Sequence, residues 1–185
     1  MSYLRTFAPW IVYALIPSAH WNWAALIALV LSVGLVAQQL RAGRTLDALI
    51  IEIGSAVFFA VITVVAFANP DSGLHPYAAA LSSGTLAVIA GISLAIRKPF
   101  TLGIAKQTTP REYWAQPLFV RTNVIITTVW TVCFALAAGA LVVLAHSGSG
   151  GRTVVQVAGF VVPMVFTLRY VAHIQAKAAT LRASR

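Results

Sequence analysis

Long apolar runs broken by short polar links make up almost the whole chain. The runs extend from Phe7 to Ala19, Trp21 to Leu40, Leu46 to Ala68, Tyr77 to Ile96, Pro117 to Ala145 and Thr153 to about Ala176. At 1.5 Å per residue, about 20 apolar residues cover the ~30 Å hydrocarbon core of a bilayer. The last five runs reach that length, whereas the first is short and holds Pro9 and Pro17. The pattern predicts an all-α, polytopic transmembrane helix bundle with five full spans plus a short N-terminal helix, kinked near Pro9, and six crossings in all. The first run reads as a retained helix, because Pro17 suits the −3 position of a leader cleavage site poorly.

Composition narrows this to one integral membrane domain, residues 1–185. Hydrophobic residues make up 59% of the chain and charged residues only 9%, with a mean hydropathy of +0.86. Soluble domains carry about 25% charged residues. The formal net charge of +9 does not point to nucleic acid, because the cations are scattered between apolar runs instead of clustering on a polar fold. Their distribution reads as topology. Arg41 and Arg44 follow the second run, Arg97, Lys98, Lys106 and Arg111 follow the fourth, and Lys177, Arg182 and Arg185 end the chain. The alternate links hold only Arg152, so the positive-inside rule predicts both termini in the cytoplasm. Arg5 agrees. Cys133 lies inside an apolar run and reads as a small packing residue.

Residues 98–116 form the longest polar link and are predicted to be a cytoplasmic interfacial elbow between spans four and five. Within it, Thr109, Pro110 and Glu112 have the spacing of a capping box with proline at the first helical position, so a short helix is expected to start there. Lys98 and Pro99 open the elbow, and Tyr113 and Trp114 are placed at headgroup depth.

The candidate intramembrane polar site centres on Glu52, placed about six residues, or roughly 9 Å, into the third span. A carboxylate there costs about 2.5–3.5 kcal/mol on insertion scales unless it is paired or wet. Arg121 and Arg169 are the candidate partners; an ion pair and a proton- or substrate-handling carboxylate are the readings left open. Asn123, Thr127 and Thr131 recur at four-residue spacing on the fifth span, joined by Arg121 and Thr122, and predict an inward polar face. Ser55 and Thr63 on the third span, and Ser82, Thr85 and Ser93 on the fourth, form weaker stripes. Inter-helical hydrogen bonds contribute only about 0.6 kcal/mol each in bilayers, so such stripes read first as packing contacts and second as a cavity lining. Ala80 and Gly84, Ala87, Gly91 and Ala95, and Ala135 and Gly139 have the small-residue spacing of close helix contacts, within one chain or across a homo-oligomer.

His20, His75 and His146 fall in or beside three different links and are weak candidates for a metal site, since no local ligand spacing joins them. No hydrolase, zinc-protease, redox or nucleotide-loop signature occurs, and no cofactor is implied. The order of segments resembles the intracellular septation protein A, or YciB-like, family of bacterial inner-membrane proteins. The residues that carry the likeness are the "IRKPF" stretch ending at Phe100, then Trp114, Asn123, Trp130 and Phe134. The resemblance implies a non-enzymatic protein of cell-envelope maintenance or septation that acts through division or envelope partners in the bilayer. The alternative, from the residues alone, is a small and possibly proton-linked transporter or channel with a cytoplasm-facing polar cavity around Glu52.

Overall fold

The computed structural model describes residues 2–183; Arg185 and the side chain of Arg182 lie outside the described residues. Among the described residues seven α-helices run in order: α1 (Ser2–Leu15), α2 (Trp21–Arg41), α3 (Ile50–Ala68), α4 (Ala78–Ala95), α5 (Phe100–Ala105), α6 (Pro117–Val143) and α7 (Ser149–Ala183). Five of them, α2, α3, α4, α6 and α7, are long and apolar enough to cross a membrane, as the apolar runs predict. The chain is a multi-pass membrane helix bundle. Helix α2 packs along α3, α4 along α6, and α7 against α6.

The 14 residues of α1 extend about 21 Å, too short for a full span but long enough to thread the bundle. The helix continues through Pro9 to Leu15. Its position is central, not peripheral: Phe7, Trp10 and Tyr13 are buried. Phe7 stacks on Trp130 with ring centroids 4.9 Å apart and meets Phe100, Phe134 and Phe160 edge-on or steeply tilted. In a bilayer, lipid tails are as apolar as a side chain, so such a cluster holds by contact density and ring geometry instead of by water exclusion. Small residues bring helices together around it. A Cβ on Gly54 would lie 2.5 Å from Ile89 of α4. Gly84 and Gly91 face Ala138 and Thr131 of α6, whereas Ala135 and Gly139 are exposed.

The turns between α2 and α3, and between α4 and α5, share one end of the bundle with the start of α6 and the end of α7. Here this is called the basic end. Both turns use the same device. After α2, Gly43 is left-handed at φ 75°, its N–H donating to Leu40 O while Arg44 N–H donates to Gln39 O. After α4, Arg97 is left-handed at φ 57°, with Arg97 N–H to Leu94 O and Lys98 N–H to Ser93 O. This paired 5→2 and 6→1 pattern is a Schellman cap, which closes the last carbonyls of a helix.

The second turn leads into α5, which the pattern of apolar runs does not reveal. Pro99 stops the chain from resuming α4. The Ser93 hydroxyl then accepts the Phe100 N–H at 3.1 Å and starts the new helix. Phe100, Thr101 and Ile104 share its buried face. Gly103 sits so near the preceding hairpin that a Cβ would lie 2.8 Å from the Ala48 carbonyl. The expected helix start at Thr109 is corrected: a single 3-10 turn spans Arg111–Tyr113, Pro110 occupies its cap position, and no side-chain cap bond forms. Gln116 is extended ahead of Pro117, which ends the turn before a helix develops.

A left-handed conformation costs a non-glycine residue roughly 1–2 kcal/mol, partly offset in glycine by chain entropy. Arg97→Gly is therefore expected to raise stability by about 0.5–1 kcal/mol, and Gly103→Val to lower it by at least ~1 kcal/mol through overpacking. Thermal unfolding in detergent reads both; opposite signs are required.

Candidate functional site

Helix α3 begins at Ile50, after a 3-10 turn over Leu46–Ala48 and a break at Leu49 (φ −113°, ψ 24°). Glu52 is therefore the third residue of α3, in its first turn, and not about two turns into a span. Unpaired N–H groups at a helix start favour an acidic side chain. The carboxyl group accepts a 3.0 Å hydrogen bond from Thr6 Oγ1 of α1. It is 4% exposed. Arg5, one residue before Thr6, donates to Gln38 Oε1 at 2.9 Å.

Arg121 and Arg169 do not join Glu52; both are exposed. The reason lies in helix geometry. Arg121 precedes Asn123 by two residues, and Arg169 follows Thr167 by two, a rotation of about 200° in each case. Asn123 and Thr167 are each 2% exposed, so the arginines face away from the bundle.

The inward face of α6 is present, and its occupant is α5. Thr101 Oγ1 donates to Asn123 O at 3.0 Å and lies 2.8 Å from Thr127 Oγ1. Asn123 Nδ2 donates to Phe119 O, and Thr131 Oγ1 to Thr127 O. On α3, Ser55 accepts from the Trp10 indole at 2.7 Å and donates to Ile51 O. The Trp130 indole donates to Thr167 Oγ1 at 3.0 Å, and Thr167 Oγ1 donates back to Pro163 O. Sequence reasoning missed Thr6, Trp10, Thr101 and Thr167. Only Thr167 left a signal, lying four residues after Pro163 on the same helix face.

Buried groups without a partner among the described residues are few: Tyr13 OH, Thr63 Oγ1 and Thr122 Oγ1. A groove of about 620 Å³ at the basic end, between the elbow, α6 and α7, reaches Thr122 and Asn123. Glu52 and Thr127 do not line it. Contacts with α1 cover Glu52 where the transporter alternative placed a polar cavity.

The three histidines occupy separate positions. His75 stacks on Trp21 with centroids 5.1 Å apart and bonds Ser18 O at 2.9 Å. His146 bonds Tyr77 OH at 3.2 Å. His20 is exposed, and among the described residues no three His, Cys, Asp or Glu side chains converge as metal ligands. With the Trp21 indole donating to Pro70 O at 3.1 Å, these bonds tie the opposite-end loops together.

The elbow is organised around Trp114. Its indole N–H donates to Thr109 O at 2.9 Å, while Lys106 Nζ and the Arg111 guanidinium lie 5.1 and 5.7 Å from the ring centroid. Glu112, expected to reach back to Thr109, is exposed. Compared with known proteins, the chain matches no family model, no curated protein and no solved structure.

A buried carboxyl group relies on each donor it has. Thr6→Val keeps shape but removes one and is expected to cost about 1–3 kcal/mol. Thr6→Ser should restore most of it. Denaturant or thermal unfolding in detergent tests this, and equal stability of Thr6→Val and the parent would show that the bond contributes nothing.

Proposed function

We propose that this chain is a non-catalytic, structural or partner-binding component of a bacterial inner membrane, serving cell-envelope maintenance or septation, with its basic end and C-terminus in the cytoplasm. The observation that carries this reading is the use made of the interior polar groups. Glu52, Ser55, Thr101, Asn123, Thr127 and Thr167 each bond to a neighbouring helix or to their own, and Glu52 is covered by α1. Transport requires a polar group that meets water and changes partners, and intramembrane ionisable residues default to that role only when they face a cavity. Here the sequence invests its polar residues in holding short helices, α1 and α5, against long ones. The likeness to septation protein A supplies the biological setting of the proposal, and the clustering of Lys and Arg at one end supplies the orientation.

The reading makes opposite demands on one substitution. Glu52→Gln keeps an acceptor for Thr6 and is expected to preserve the protein's role in cells lacking the native copy, scored by division and by survival under envelope stress. In liposomes, parent and variant are expected to show the same background proton flux. Flux well above empty liposomes in the parent, lost in Glu52→Gln, would replace the scaffold with a proton-linked transporter.

A further inference from the structure

The basic end holds a second cavity that neither the scaffold reading nor the topology explains. It has a volume of about 200 Å³ and lies between the α2–α3 turn, α5 and the elbow. Four cations line it: Arg44 from the turn, Lys98 and Lys106 from either end of α5, and Arg111 from the elbow. Gly43, Ala48 and Gly103 contribute backbone and little side chain, and Trp114 forms one wall.

The positive-inside rule accounts for cations on one side of a membrane but not for their meeting in one pocket. Arg41 and Arg97 show the difference: they lie at the same end and do not line it. An anion in the pocket would gain Coulomb energy from Arg44, Lys106 and Arg111 together. Arg44 is half-buried and makes no side-chain hydrogen bond or ion pair to another described residue. Lys106, also half-buried, lies over the Trp114 ring and makes no side-chain hydrogen bond or ion pair to another described residue. Size narrows the ligand. Drug-sized ligands occupy about 300–1,000 Å³, and this pocket is smaller, matching a compact group with several acceptor oxygens. A planar guanidinium beside a point-like ammonium suits phosphate. The pocket opens at a bundle end marked by Trp114, where aromatic residues sit at headgroup level.

We propose that this pocket binds the phosphate group of an anionic ligand, supplied in the membrane by a lipid headgroup. The proposal does not depend on the scaffold reading. Arg44, Lys106 and Arg111 hold the phosphate oxygens, and Trp114 keeps two of these cations in place. Ligand binding would also clamp the α2–α3 hairpin to α5 across the Gly103–Ala48 contact.

The full chain, purified in a neutral detergent, is titrated with phosphatidylglycerol, with phosphatidylcholine and with inorganic phosphate, reading binding by native mass spectrometry and by thermal unfolding. Cations near an anionic surface contribute about 5-fold each in affinity. Arg44→Gln/Lys106→Gln is expected to weaken phosphatidylglycerol binding about 30-fold, while Arg41→Gln/Lys177→Gln, with the same charge removed from the same end, changes it less than about 3-fold. If the first variant does not fold, Arg44→Gln alone, on a turn, is expected to lose about 5-fold. Inorganic phosphate binding with the same dependence, in place of phosphatidylglycerol, would keep the phosphate site and make its source soluble. Equal losses in the two double variants, or equal binding of phosphatidylcholine, would reduce the pocket to a solvated basic face and overturn the proposal.

Discussion

Phe7 on Trp130 is the contact on which the rest of the bundle depends. A 14-residue helix cannot span hydrocarbon, and left at the interface it would leave an open seam among α3, α6 and α7. Stacked on Trp130 and ringed by Phe100, Phe134 and Phe160, Phe7 joins residues from α1, α5, α6 and α7 in one cluster. Its neighbours on α1 then fall into register. Thr6 meets Glu52, and Trp10 meets Ser55 while packing on Phe58 and Phe59. One inserted helix thus covers the buried carboxyl group, fills the interior with aromatic side chains and fixes the position of α5.

The polar residues follow from that arrangement. In hydrocarbon a free N–H or hydroxyl is costly, so short helices inside a bundle need side chains to complete their ends. Ser93 does this for α5, Thr101 fastens α5 to α6, and Thr6 with the first turn of α3 encloses Glu52. At the basic end the two Schellman turns set two hairpins side by side and bring Arg44 and Lys98 to the same hollow. Glu52 is covered and the charged end is organised, a division of labour consistent with a protein that acts through its membrane and its neighbours.

The long helices were legible because 20 apolar residues between turn signals admit few alternatives. The inward face of α6 was legible too, since Asn123, Thr127 and Thr131 repeat at helical spacing. What stayed hidden was short. The six residues of α5 are fewer than two turns, and an apolar stretch of that length has no period to read. The central place of α1 was not legible, because nothing in its sequence tells a ring that faces lipid from one that faces Trp130. Glu52 was set too deep: the run from Leu46 reads as continuous helix, whereas the break at Leu49 moves the start of α3 to Ile50. The arginine partners failed on a point the sequence did contain, the ~200° between residues two apart on a helix.

Amide hydrogen exchange of α1 in lipid nanodiscs tests the central claim most directly. If α1 is the inserted core of the bundle, the amides from Phe7 to Tyr13 exchange as slowly as those of α6 around Trp130 and speed up when Phe7 is replaced by Ala. Rapid exchange across Phe7 to Tyr13 in the parent protein, with α6 protected, would mean that α1 lies on the surface and that Glu52 is uncovered.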